Sequence, residues 1–159
     1  MFFDKAAKIK DLFVSCKWSL AVAESCTGGM LGAALTSVPG SSAYFYGGFI
    51  VYSNAAKINF LGVQPETLET WGAVSEATAR EMAENTRKLS QANVAVAITG
   101  IAGPEGGSPA KPVGLVFIAA AGEKGTRVKK MLFTGSREEI RQAAVMAALD
   151  IILETAERR

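Results

Sequence analysis

The sequence predicts an α/β chain, specifically a three-layer α/β/α domain on a mixed, mostly parallel sheet of about five strands. Three observations carry that prediction. Short apolar runs alternate with longer stretches of helical periodicity, the pattern of strands covered by helices. Two late apolar runs are separated by a glycine-flanked turn instead of a helix, which adds an antiparallel hairpin. The chain has 159 residues, 49% of them hydrophobic and 20% charged. That is enough for one core, so residues 1–159 are expected to form a single domain.

The elements follow in order. Residues 3–16 read as a helix, with Ala6, Ile9, Leu12 and Phe13 on one face. The run 19-SLAVAES-25 is a short strand. Residues 28–37 read as a helix stopped by Pro39-Gly40. The aromatic and β-branched run 44-YFYGGFIVY-52 is a strand, and Gly47-Gly48 inside it predicts a bulge or a close backbone approach. Ser53 caps a short helix carrying Ala56, Lys57 and Phe60. Pro65 opens a helix over 65–71 that Gly72 ends. A longer helix runs from Ser75 to about Leu89, with Ala79, Met82, Ala83 and Thr86 inward. The strand 93-NVAVAIT-99 leads into a glycine-rich loop, 100-GIAGPEGGSPAKP-112. Residues 113–121 and 126–133 form the hairpin, and Gly122 and Gly125 flank its turn. Residues 136–159 form the last helix, opened by the capping box Ser136 and Glu139.

Composition excludes several functions. A formal net charge of +2 predicts no nucleic-acid partner. No window reaches the roughly 18 apolar residues of a membrane span. The N-terminus, MFFDKAAKIKDLF, lacks the apolar core of a secretory signal. Two cysteines, Cys16 and Cys26, make no disulfide framework. These features predict a cytoplasmic protein. The chain contains no histidine, which removes the Ser-His-Asp triad, the Cys-His pair and histidine-based metal sites. No metal site is expected, and a base must come from Lys, Asp, Glu, Tyr or an activated water.

The segment 22-VAESCTGGMLGAAL-35 is the first chemical candidate. Ser25 ends a strand, and Cys26 must point a different way because strand side chains alternate. Thr27 can cap the following helix. Gly28 and Gly29 allow close approach, and free N–H groups at a helix start favour an anion or oxyanion. The segment reads either as a tight turn of small polar residues or as a nucleophile corner. Lys57, in the first turns of its helix, faces the positive end of the dipole. Partial burial would lower its pKa further and make it a base for a serine hydroxyl. As a surface lysine it would do neither. Tyr52 can donate a phenolic proton or stack on a flat ring, or it can simply pack. Thr99 and Gly100 end a strand at the edge where open α/β sheets bind ligands, and the loop after them has the composition of a ligand-embracing segment. Arg137 and Arg141 lie one turn apart. They can share an anionic ligand, or they can form salt bridges with Glu138 or Glu139.

Several motifs together, 24-ESCTGG-29, 39-PGSSAYFYGGFIVYSNAAK-57, 72-GAVSE-76, 98-ITGIAGPEGG-107, 112-PVG-114 and 134-TGSREEIR-141, resemble the CinA C-terminal-domain family of nicotinamide mononucleotide deamidases. The resemblance covers about residues 5 to 155. It implies an amidohydrolase that converts nicotinamide mononucleotide to the acid and ammonia, with Ser25 as nucleophile and Lys57 as base. No cofactor is implied. Tyr52 and Thr99 match polar residues around the family's site, and backbone N–H groups near Cys26 to Gly29 or near Gly100 would hold the oxyanion. The family usually reads G-D-R where this chain has Gly135-Ser136-Arg137, so Arg137 and Arg141 stand as phosphate-binding candidates without the acidic member. The resemblance also implies that the pyrophosphatase domain of longer CinA proteins is not expected here. Two other readings remain: a nucleotide- or partner-binding domain without catalysis, and an amidase for another small carboxamide. The edge strand near 126–133, exposed apolar residues and the family together predict a homo-oligomer.

Overall fold

The computed structural model describes residues 1–158. Its elements are α1 (Phe2–Cys16), β1 (Leu20–Glu24), α2 (Met30–Thr36), β2 (Phe45–Ile50), α3 (Asn54–Leu61), α4 (Pro65–Trp71), α5 (Glu76–Ser90), β3 (Val94–Gly100), β4 (Leu115–Gly122), β5 (Gly125–Leu132) and α6 (Arg137–Glu157). The five strands form one sheet in the order β2-β1-β3-β4-β5. β1 pairs in parallel with both β2 and β3, whereas β4 runs antiparallel to β3 and β5. Only β4 is therefore reversed, which is the mixed, mostly parallel sheet that the sequence predicts.

Strand parity divides the core into two layers. Leu20 and Val22 of β1, Val94, Val96 and Ile98 of β3, and Val116 and Ile118 of β4 pack with α1, α2 and α6. The intervening Ala23, Ala97 and Ala119 pack with α3, α4 and α5. The alanines on that second face let α5 lie close to the sheet, because a small side chain lowers the surface on which a helix rests. α6 is tightly anchored. Its Ile140, Val145, Leu149, Ile151 and Ile152 are all buried, each contributing roughly 1.5–3 kcal/mol of transfer free energy. Its capping box is present with both hydrogen bonds.

Both expectations for the Gly47-Gly48 pair are met. The β1–β2 register shifts between Leu20 and Ala21, which face Phe45 and Gly47. At Gly48 an added Cβ would stand 2.5 Å from Val22 Cγ2 and 2.8 Å from the Val22 carbonyl oxygen, so only glycine lets the two strands approach this closely. The hairpin turn is closed by the facing pair Gly122 and Gly125.

One expectation needs correction. The helix after Ser25 starts at Met30, and its cap position, Gly29, makes no side-chain hydrogen bond. Thr27 is not the cap, because its hydroxyl lies too early and turns back into the protein. The free edge of β5 is charged. Lys129 and Arg127 lean onto Glu154 of α6 at 2.6 and 3.2 Å, and Lys130 is exposed. Charges on an edge strand oppose edge-to-edge pairing. The opposite edge, β2, exposes Tyr46 (66%) and Ile50 (59%), and the sequence has no charged residue between Glu24 and Lys57.

Among the described residues, no helix is long and apolar enough to cross a membrane.

Candidate active site

The connection from β1 to β2 carries α2 on one face of the sheet, and the connection from β2 to β3 carries α3, α4 and α5 on the other. The chain therefore leaves β1 and β2 toward opposite faces, and a crevice opens at the carboxyl ends of the parallel strands. Ser25 follows β1 directly and donates its backbone N–H to Ile98 O of β3 at 3.0 Å. That bond extends the strand register by one residue. Parity then sends the Ser25 side chain toward the α3–α5 layer and sends Glu24 and Cys26 the other way.

Lys57 meets Ser25 from α3. The helix is capped by Ser53, whose hydroxyl accepts from Ala56 N, as the sequence predicts. Lys57 is buried (1% exposed). Its Nζ donates to Ser25 Oγ at 3.1 Å and to the Tyr52 carbonyl oxygen at 3.0 Å. Both acceptors are neutral, and among the described residues no carboxylate forms an ion pair with Lys57. Burial lowers its pKa below the ordinary lysine value, since a low-dielectric site penalises the charged form. The Ser25 hydroxyl also lies 3.4 Å from the Tyr52 carbonyl. A buried lysine with a lowered pKa against a serine hydroxyl is the arrangement of a base and its nucleophile.

Ser25 and Lys57 open into a cleft of about 160 Å³, lined further by Tyr52, Asn54, Thr99 and Arg137. Its floor and walls include Ala73, Val74, Gly100 and Ala102. The Thr99 hydroxyl donates to Ala73 O at 2.8 Å, which ties the α4–α5 connection to the end of β3. Gly100 packs hard on β4, because an added Cβ would lie 2.7 Å from Val116 Cγ2. Arg137 stands at the rim. Its Nη1 donates to Gly103 O (2.8 Å) and its Nη2 to the Tyr52 hydroxyl (3.1 Å). The Tyr52 side chain is 60% exposed, so the phenol and guanidinium form an open pair at the mouth. Lys57 and Arg137 are the charged residues of the lining, which includes no carboxylate.

The structure does not bring every sequence candidate to the cleft. Thr27 is fully buried, and its hydroxyl donates to Glu24 Oε1 at 2.7 Å. Gly28 donates its N–H to Ser25 O, so that group is already used inside the turn. Gly28 and Gly29 have φ of 57° and 102°, the left-handed region in which glycine is favoured, and their role is to let the chain turn. Arg141 lies behind the corner. Its Nε donates to Cys26 O and its Nη2 to Thr27 O, both at 3.1 Å. Among the described residues it forms no ion pair with Glu138 or Glu139.

Glu24 is the residue the sequence reading missed. It is buried, and its carboxylate accepts from Leu31 N at 2.8 Å and Gly32 N at 3.0 Å. It caps α2 from the end of the preceding strand. An acid closing an apolar strand one residue before Ser25 was the available signal, since parity aims it at the start of the next helix. Asn54, which opens α3 on the cleft wall, carried no signal beyond its place in the motif. Cys26 packs in the core layer, where burial pushes its thiol up to about 11. It stays protonated near neutral pH and is a poor nucleophile.

The model of the CinA C-terminal domain matches residues 3–156. The chain belongs to the CinA C-terminal domain family. A CinA-like protein from Syntrophomonas wolfei is 53% identical over 133 residues, covering 84% of this chain and 32% of the relative. One from Endomicrobium trichonymphae is 49% identical over 141 residues, covering 89% and 33%. The CinA domain thus spans about a third of the length of these relatives. Among solved structures, the competence/damage inducible protein CihA from Agrobacterium tumefaciens is 45% identical with a TM-score of 0.94, covering 96% of this chain and 94% of that one. The CinA superfamily protein KP700603 from Klebsiella pneumoniae is 35% identical with a TM-score of 0.96, covering 100% and 99%. These likenesses agree with the CinA fold described above.

Proposed function

We propose that this CinA domain is an amidohydrolase that converts nicotinamide mononucleotide to nicotinic acid mononucleotide and ammonia in pyridine nucleotide salvage. The observation that carries the reading is the 3.1 Å contact between Lys57 Nζ and Ser25 Oγ, made by a buried lysine that forms no ion pair among the described residues. Loss of one proton gives Lys57 a lone pair and reverses that hydrogen bond. The Ser25 hydroxyl then donates to the amine. Ser25 Oγ attacks the carboxamide carbon as its proton passes to Lys57. The resulting ammonium returns the proton to the departing nitrogen, releasing ammonia and leaving an ester on Ser25. Water, deprotonated by the neutral Lys57, attacks that ester. The intermediate collapses to the carboxylic acid as Lys57 returns its proton to Ser25 Oγ, and the acid loses its remaining proton to solvent as it leaves. This chemistry uses only the chain's own residues.

The cleft also fits the substrate class. Small-molecule pockets typically hold 300–1,000 Å³, so about 160 Å³ accommodates a ring and its carboxamide, not a whole nucleotide. The ribose phosphate would extend along the rim, where Arg137 offers a positive charge. Tyr52 stands beside Arg137 and would flank the ring or the sugar. In this reading Ser25→Ala and Lys57→Met both lose ammonia release from nicotinamide mononucleotide, by roughly 10³-fold or more. Retained turnover in both variants would exclude the dyad. Nucleotide binding measured by calorimetry, with no ammonia released by the wild type, would make the domain a binding module. Equal turnover of free nicotinamide would point to an amidase for other small carboxamides.

The same reading includes a homo-oligomer formed by a second copy of the chain on the β2 edge. Support comes from the exposed Tyr46 and Ile50, from the charge-free segment around them, and from the charges that blunt the β5 edge.

A further inference from the structure

Three successive carbonyls at the nucleophile corner are each held by a donor. Ser25 O accepts from Gly28 N at 3.1 Å. Cys26 O and Thr27 O accept from Arg141 Nε and Nη2. A peptide unit is planar, and in a trans peptide its N–H points opposite to its C=O. Fixing Ser25 O therefore aims the Cys26 N–H away from the turn, and fixing Cys26 O aims the Thr27 N–H away from Arg141. Among the described residues neither N–H donates to a protein oxygen, whereas Met30, Leu31 and Gly32 N–H are all engaged within the corner. Of the two residues with unengaged donors, Cys26 lines the cleft beside Ser25, whereas Thr27 is fully buried. The Cys26 N–H shares its peptide with Ser25 O, and the Gly28 N–H that holds Ser25 O shares its own peptide with Thr27 O, the acceptor of Arg141 Nη2.

We propose that Arg141 is a positioning residue: through Thr27 O it fixes the Thr27–Gly28 peptide, whose N–H holds Ser25 O and so presents the Cys26 N–H to the cleft as the oxyanion donor. This rests on the amidohydrolase reading. It assigns to Arg141 a task different from substrate phosphate binding. The guanidinium suits the task because its donors form a rigid fork that engages two carbonyls at once, which a lysine cannot do in the same geometry. Its charge also polarises both peptides, and hydrogen bonds in series strengthen one another. The arginine comes from the first turns of α6, 115 residues from Cys26, and the buried face of that helix fixes its root. Gly28 lies directly beside it, since a Cβ there would stand in ordinary contact 3.6 Å from Arg141 Nη2. Preorganised donors of this kind act on the charge that develops in the transition state and contribute little to ground-state binding.

The test compares Arg141→Lys and Arg141→Ala with Arg137→Ala, using steady-state kinetics on nicotinamide mononucleotide and thermal melts of each protein. Arg141→Lys keeps the stem and the charge, so it reports on the lost fork even if Arg141→Ala fails to fold. The expected result is a kcat lower by roughly 10- to 100-fold in Arg141→Lys, with KM within about twofold of wild type and an unchanged ascending limb in the pH profile. Arg137→Ala is expected to raise KM with less effect on kcat. A raised KM with kcat preserved in Arg141→Lys would make Arg141 a substrate contact and overturn the proposal, as would wild-type kinetics. Failure of the underlying reading looks different, because Ser25→Ala would then retain full turnover whatever the Arg141 variants do.

Discussion

At the scale of single residues, Lys57 sets the pH behaviour. Its amine is useful as a base only when neutral, and burial holds its pKa below 10.5. The fraction of neutral amine rises with pH, so kcat/KM is expected to climb through a midpoint below that value. A pH–rate profile showing no ascending group below about 10 would count against Lys57 as the base. Stability should follow the same sign. Between the lowered pKa and 10.5 the unfolded chain binds the proton and the folded chain does not, so stability increases with pH across that window. Below it, burial of an uncompensated ammonium is a standing cost. Lys57→Met removes the cost while keeping a similar shape. That variant should be inactive and at least as stable as wild type near neutral pH in urea denaturation. Marked destabilisation would show that Lys57 is structurally required.

At the scale of elements, α2 depends on a carboxylate outside itself. Glu24 supplies the acceptors that its own cap residue, Gly29, lacks. Glu24→Ala leaves Leu31 N, Gly32 N and the Thr27 hydroxyl without their acceptor, and is expected to cost about 2–4 kcal/mol. Glu24→Gln keeps one acceptor oxygen and should cost less. Equal urea midpoints for Glu24→Ala and wild type would mean that solvent replaces the carboxylate easily. This is also where sequence reasoning reached its limit. The helices α1, α3, α5 and α6 were legible because periodicity and capping residues are local signals. Ser53, Ser75 and Ser136 each cap the helix they precede. Thr27 has the right residue type for the same task but the wrong place, since two positive-φ glycines separate it from the first helical turn. The partners of Arg141 were not legible for a related reason: its spacing from Arg137 is a helical property, whereas Cys26 O and Thr27 O lie at a strand end far away in sequence. Ser25 and Lys57 carried only ambiguous local signals, and their contact became explicit once α3 packed across the end of β1.

At the scale of the whole molecule, the two sheet edges differ in charge, and the difference predicts how copies meet. Ile50→Lys and Tyr46→Lys place a charge on the uncharged edge and should lower the mass observed by light scattering, whereas Lys130→Ala at the other edge should leave it unchanged. A monomeric wild type at tens of micromolar would sink the β2 interface. The strand order was less legible than the strands themselves, because β1 lies between β2 and β3 only through crossovers that no local pattern specifies. The charge-free segment between Glu24 and Lys57 has one more consequence. Trypsin finds no lysine or arginine between Lys17 and Lys57, so digestion leaves nucleophile and base on one peptide, from Trp18 to Lys57. An acyl group trapped on Ser25 would appear in mass spectrometry as a mass increment on that single fragment, whose C-terminal residue is the base itself.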